Sequence, residues 1–108
     1  MDLFCRRTVV GDVAVVMVSG ELDLASVGVL RDALLKAITE HRGATVAVDL
    51  DGVTALDDTA LGIVLGSAAR SREQGGDLVV VCTSPRLVER FELSGLARAV
   101  RVLDRLTP

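Results

Sequence analysis

The sequence predicts one α/β domain over residues 1–108, with elements in the order ββαβαβαβ: a mixed, mostly parallel sheet, an antiparallel hairpin at its N-terminal end, and helices packed on it. Three observations lead there. Two strand-like runs, Leu3–Val10 and Val13–Val18, are separated only by the turn signal Gly11-Asp12. Between Val46 and Gly66 the apolar spacing switches from two residues, the period of a strand, to the three-and-four spacing of a helix. Leu78 to Cys82 is an unbroken apolar run, as expected of a strand covered on both faces.

The first two strands make the hairpin. The first helix starts near Ala25-Ser26, lines up Val27, Leu30, Leu34 and Ile38 on one face, and stops at His41-Arg42-Gly43, a basic turn followed by a glycine. In the third strand Val46, Val48 and Leu50 alternate with Ala47, Asp49 and Asp51, and Asp51-Gly52 reads as the turn that ends it. The second helix places Leu61, Val64, Leu65 and Ala68 at i, i+3, i+4 and i+7 and ends at Gly75-Gly76. After the strand Leu78–Cys82, Ser84 caps a third helix, with Pro85 at its first position, where a missing N–H costs nothing. Ala99 to Leu103 reads as a short last strand. No internal repeat, linker or low-complexity segment interrupts this order.

Half of the residues are hydrophobic, which suits one core in a chain of this length. No run of about 18 apolar residues is free of charge and turn signals. Arg6-Arg7 is not followed by a signal-peptide core and cleavage site, so a cytoplasmic protein without membrane attachment is expected. A net charge of −3, no stripe of Lys or Arg, and two aromatic residues, both Phe, argue against nucleic acid, which calls for a basic face and often stacking platforms. The expected partner is a protein, and the expected state is a monomer or weak dimer.

Chemistry concentrates where the third strand passes into the second helix. Asp57 is a good N-cap, and Asp58 and Thr59 fall in the first turn, where backbone N–H groups lack partners and the dipole favours negative charge. Two readings of the aspartate pair stand side by side: capping residues alone, or part of a functional surface. Catalytic constellations are weak elsewhere. The single histidine, His41, sits at a helix C-terminus and reads as a surface cap, and one histidine allows no multi-histidine metal site. No G-x-S-x-G nucleophile elbow and no phosphate-cradling glycine loop occur, so no enzyme, cofactor or metal is expected. Gly62 and Gly66 are spaced for close packing of the second helix against the sheet or a partner.

Three motifs in order resemble the STAS domain family of anti-sigma-factor antagonists. Gly20-Glu21-Leu22-Asp23 matches the family's G-E-L-D, Asp57-Asp58-Thr59-Ala60-Leu61-Gly62 stands where the family has D-S-[ST]-G-L-G after a V-D-L-x-G-V strand, and Ser84-Pro85 with Ser94-Gly95-Leu96 matches its S-P and S-G-L. The resemblance covers nearly the whole chain. It implies an antagonist that binds an anti-sigma factor, itself a histidine-kinase-like, ATP-binding serine kinase, and so releases sigma factor for transcription. In the family that kinase phosphorylates the serine after the motif's first aspartate, and the added charge breaks the complex.

This chain departs from the family at that position: Asp58 replaces the phosphoacceptor serine and Ala60 the following glycine. Asp58 either mimics the phosphorylated, released state or marks an antagonist that its kinase cannot switch off. Thr59 is the possible substitute acceptor, although one step along a helix turns a side chain by about 100°. The partner surface implied by the resemblance comprises Glu21, Asp23, Asp57, Asp58, Thr59, Ala60, Leu61 and Gly62, continued by Ser67 and Arg70 on the second helix. For Asp23, capping of local backbone is an equal reading. Given the family's sheet order, Cys5 and Cys82 lie roughly 14 Å apart at about 4.8 Å per strand, too far for a disulfide. Two rival readings come from other classes. A phospho-aspartate receiver, with Asp49 or Asp51 as acceptor, lacks its lysine, since Lys36 falls in the first helix. A STAS module that binds a small ligand or acts as a scaffold stays open, because one fold hosts many functions.

Overall fold

A computed structural model describes residues 2–106. The sheet has five strands in the order β1-β2-β3-β4-β5: β1 (Leu3–Val10), β2 (Val13–Leu22), β3 (Thr45–Leu56), β4 (Asp77–Val81) and β5 (Val102–Leu103). β1 runs antiparallel to β2, and every later pairing is parallel, as the alternation of elements requires. The crossovers are α1 (Val27–Glu40), α2 (Asp58–Glu73), α3 (Pro85–Leu93) and the single turn α4 (Leu96–Ala99).

The alternation of side chains along the strands divides the core in two. Val16, Val46, Val48, Leu50, Leu78 and Val80 join Leu30, Leu34 and Ile38 of α1, Leu61 and Val64 of α2, and Leu87 and Phe91 of α3 in one cluster. Their neighbours Val15, Ala47, Val79 and Val81 are buried on the other face with Met17, Leu103 and Leu106 packed against them. Both faces of β4 are therefore covered, which is why its sequence is apolar at every step.

The central strands run further than their turn signals suggest. Asp51-Gly52 does not end β3, which continues to Leu56 beside a β2 that continues to Leu22. The register shifts between Met17 and Ser19 and again between Gly20 and Glu21, so β2 and β3 bend together without parting. Gly52 is needed for that approach: a Cβ there would lie 2.8 Å from Ser19 Cβ and 2.9 Å from the Val18 carbonyl oxygen. The glycine marks an irregular strand pairing instead of a turn.

Smaller corrections have similarly local causes. β4 is Asp77–Val81, so Cys82 lies just past it. Ala99 closes α4 instead of opening a strand, because Leu96 and Val100 are both buried at helical spacing and the Val100 N–H bonds the Leu96 carbonyl. Ser84 occupies the N-cap of α3 without a capping side-chain hydrogen bond. On α2 the buried stripe is Ala60, Leu61, Val64, Ser67, Ala68 and Ser71, leaving Leu65 exposed. Ser67 is thus covered and cannot extend an outer surface, whereas Arg70 is exposed. Gly62 and Gly66 face solvent instead of the sheet.

Candidate functional site

β2 and β3 pair to their last residues, Glu21 with Ala55 and Leu22 with Leu56, and the Asp57 N–H then donates to the Leu22 carbonyl at 2.7 Å. The β2–α1 loop and the start of α2 consequently emerge together at the C-terminal edge of the sheet, where loops of α/β folds collect function. Asp57 is extended, and its carboxylate accepts hydrogen bonds from the Thr59 N–H at 2.8 Å and the Thr59 hydroxyl at 2.7 Å. These two bonds, the backbone one foremost, hold its pKa below the ordinary carboxylate range, with a smaller contribution from the Arg90 charge.

The rest of the motif divides by direction. Asp58, the first residue of α2, has a side chain 89% exposed. Thr59 and Gly62 are also exposed, while Ala60 and Leu61 are buried and anchor the turn to the core. The surface offered at this helix start is accordingly Asp58, Thr59 and Gly62, and Ala60 and Leu61 support it from behind. The methyl of Ala60, where the family has glycine, is accommodated in the core.

In the adjoining loop Asp23 and Ser26 cap each other. The Ser26 N–H donates to Asp23 Oδ1 at 2.9 Å, the Asp23 N–H donates to Ser26 Oγ at 3.0 Å, and the Ser26 hydroxyl donates to the Glu21 carbonyl at 2.7 Å. The hydrogen bonds from Ser26 keep the Asp23 carboxyl more acidic than usual. Its first role is to fold the loop that presents Glu21, half-buried, and Leu24, which is 73% exposed.

Two arginines that the sequence did not single out complete the junction. β4 accompanies β3 only as far as Asp49, so among the described residues the far end of β3 has no strand on that side. Arg86 and Arg90, one turn apart on α3, fill the gap: Arg86 Nη2 donates to the Thr54 carbonyl at 3.0 Å and Arg90 Nη1 to the Leu56 carbonyl. Arg90 Nη2 also meets Asp58 Oδ1 at 2.5 Å. The i, i+4 arginine pair is visible in the sequence, but its targets lie 32 to 34 residues away.

Other reactive groups are occupied or separate. Asp51 accepts from the Thr83 N–H at 2.6 Å and from its hydroxyl at 3.0 Å, and Asp49 accepts from the Asp51 N–H, so both tie backbone together. Cys5, on β1, and Cys82, just past β4, are unpaired and separated by the width of the intervening strands, and desolvation raises the pKa of both thiols. His41 is the C-cap of α1, its Nε2 3.2 Å from Arg7 Nη2. Among the described residues no group of three or more His, Cys, Asp or Glu is arranged to hold a metal ion, and no helix is long and apolar enough to cross a membrane.

A one-sided α/β layer whose polar groups gather at one strand–helix junction belongs to a recognisable class of domain. The chain is a member of the STAS domain family, whose profile matches residues 6–107. It is 35% identical to the anti-sigma-B factor antagonist of Bacillus subtilis over 81 residues, covering 75% of this chain and 72% of the relative. Its fold is shared with an anti-sigma factor antagonist from Mycobacterium paratuberculosis, with a TM-score of 0.86 at 24% identity over 97% of this chain and 88% of that one. It is shared too with the anti-sigma factor antagonist SpoIIAA in its unphosphorylated form, with a TM-score of 0.75 at 22% identity over 94% and 90% of the two chains.

Proposed function

We propose that this protein is an anti-sigma factor antagonist that docks the exposed start of α2 and the neighbouring β2–α1 loop on an anti-sigma factor, releasing the sigma factor it holds. The observation that carries the reading is the convergence of Asp58, Thr59 and Gly62 with the Glu21–Leu24 loop at one edge of the sheet, in a chain whose relatives bear that name. The partner is a histidine-kinase-like, ATP-binding serine kinase in the cytoplasm, and the protein acts as a binding module and not as a catalyst. The usual phosphorylation switch does not operate on it. Asp58 has no hydroxyl, and the Thr59 hydroxyl is engaged by Asp57. A phosphate at this surface would add about −1.5 to −2 charge and three acceptor oxygens.

Calorimetry of the protein with candidate kinase-type anti-sigma factors, without ATP, tests the docking. Binding by the wild type or by Asp58→Ser is the expected result, and failure of both sinks the reading. With ATP present no phosphate is expected on the wild type, and stoichiometric phosphothreonine at Thr59 would show that the switch survives.

A second reading rests on one feature of the opposite face. A groove of about 370 Å³ opens there, lined by Val10, Val15, Met17, Val81 and Leu106 with Asp49 and Asp51 at its polar side. It suits a STAS module that holds a small ligand within a signalling assembly. A metabolite retained in native mass spectrometry would favour it.

A further inference from the structure

Asp58 stands where the family's phosphate would break the complex, so its own charge decides whether the helix start reads as released or as competent. We infer that Arg90 is an in-chain counter-cation: it neutralises Asp58, so that the start of α2 presents to the anti-sigma factor a locally uncharged surface, like that of an unmodified serine, and binding is constitutive. This deepens the function proposed above and rests on it.

The geometry carries the assignment. Arg90 is positioned independently of Asp58, because its Nη1 is held by the Leu56 carbonyl at the unpaired edge of β3, and Arg86 one turn earlier holds Thr54 in the same way. A planar guanidinium fixed through one nitrogen presents the next in a defined direction, and Nη2 reaches Asp58 Oδ1 at 2.5 Å. The carboxylate brings one negative charge where a phosphate brings about two, so one guanidinium suffices to cancel it.

The pair matters more in the complex than in the free protein. Asp58 is 89% exposed and Arg90 33% exposed, and an exposed ion pair is weakened by water and salt. A docked partner removes that water. With Arg90 in place the two charges are covered together, whereas without it Asp58 is covered alone, which costs binding far more than the pair contributes to folding. The preceding carboxylate, Asp57, is hydrogen-bonded by Thr59 and feels Arg90 only as a nearby charge, whereas Asp58 receives the guanidinium's hydrogen bond.

The test is a double-mutant cycle with wild type, Arg90→Gln, Asp58→Ser and the double variant, read in two ways. In ATP-free calorimetry with the anti-sigma factor, Arg90→Gln is expected to bind about thirty-fold more weakly than wild type. The double variant should bind within about threefold of Asp58→Ser, and Arg90→Lys, which keeps the charge, should recover part of the loss. An equal loss when Arg90→Gln is added to Asp58→Ser would overturn the inference, since Arg90 would then act through the Leu56 carbonyl or on the partner directly. Tighter binding by Arg90→Gln would also overturn it, because the partner would then be supplying the cation. The second readout needs no partner: in low salt, thermal midpoints should show Arg90→Gln costing more in the wild-type background than in the Asp58→Ser background, with the difference fading at about 1 M salt. If no variant binds any anti-sigma factor, the functional reading fails by itself, and a zero difference in the midpoint cycle separately refutes the neutralisation.

Discussion

The Asp57 carboxylate accepts two hydrogen bonds from Thr59, one from its backbone and one from its hydroxyl, and so closes the first turn of α2 on itself. One of the donors orphaned at the helix start is satisfied, and the threonine side chain is turned towards the cap. Asp57→Ala is expected to lower the thermal midpoint by a few degrees, and Asp57→Ser, which can still accept, by less. Differential scanning calorimetry of the two variants checks the order.

Stability should fall in acid, in a defined window. The pKa values of Asp23 and Asp57 are both held below the ordinary carboxylate range by hydrogen bonds from Ser26 and Thr59. A carboxyl whose folded pKa lies below its unfolded value binds more protons when unfolded, so it stabilises the fold above the unfolded value and ceases to do so as pH falls towards the folded one. The loss therefore begins near the unfolded value of 3.8 and deepens below it. Urea midpoints between about pH 7 and pH 3 should decline more steeply for wild type than for the double variant Asp23→Asn, Asp57→Asn.

Two residues of α3 separate core from surface within about half a turn. Phe91 is fully buried against the sheet, whereas Leu93 is 78% exposed. Phe91→Ala should cost about 3–5 kcal/mol through lost burial and a cavity, while Leu93→Ala should change stability by about 0.5 kcal/mol or less. Denaturant unfolding measures both.

Gly52 should resist even alanine. A Cβ at this position meets the Val18 carbonyl and Ser19 Cβ inside 3 Å, so β2 and β3 would have to separate where their register shifts. A loss of about 1–3 kcal/mol in denaturant unfolding is expected, together with weaker partner binding, because the same two strands aim Glu21 and Asp58. Gly62→Ala is the control, since a Cβ there meets nothing within 4 Å, and it should be neutral or slightly stabilising for the helix.

The local and periodic part of this protein could be read directly from its residues. Alternating and helical spacings specify the hairpin, the three crossover helices and the buried β4 run, because each depends on residues within a turn or two of one another. The Asp57 cap was legible for the same reason. The motif Asp57–Gly62 also marked the helix start, but not the division of its residues between surface and core. That division, the burial of Ser67 and the exposure of Leu65 depend on how α2 is rotated against α1 and β4.

The end of β3 and the surroundings of Asp58 depend instead on contacts between distant segments. Asp51-Gly52 has turn chemistry, yet β2 offers a partner strand whose pairing outweighs that local preference. β4 stops short, which leaves the Thr54 and Leu56 carbonyls for Arg86 and Arg90 to fill. The Arg90–Asp58 pair spans 32 positions of sequence. Nothing in a local pattern states which distant cation will reach a given carboxylate, because that is settled only when α3 packs back across the sheet and its arginines meet the backbone groups that no strand has taken.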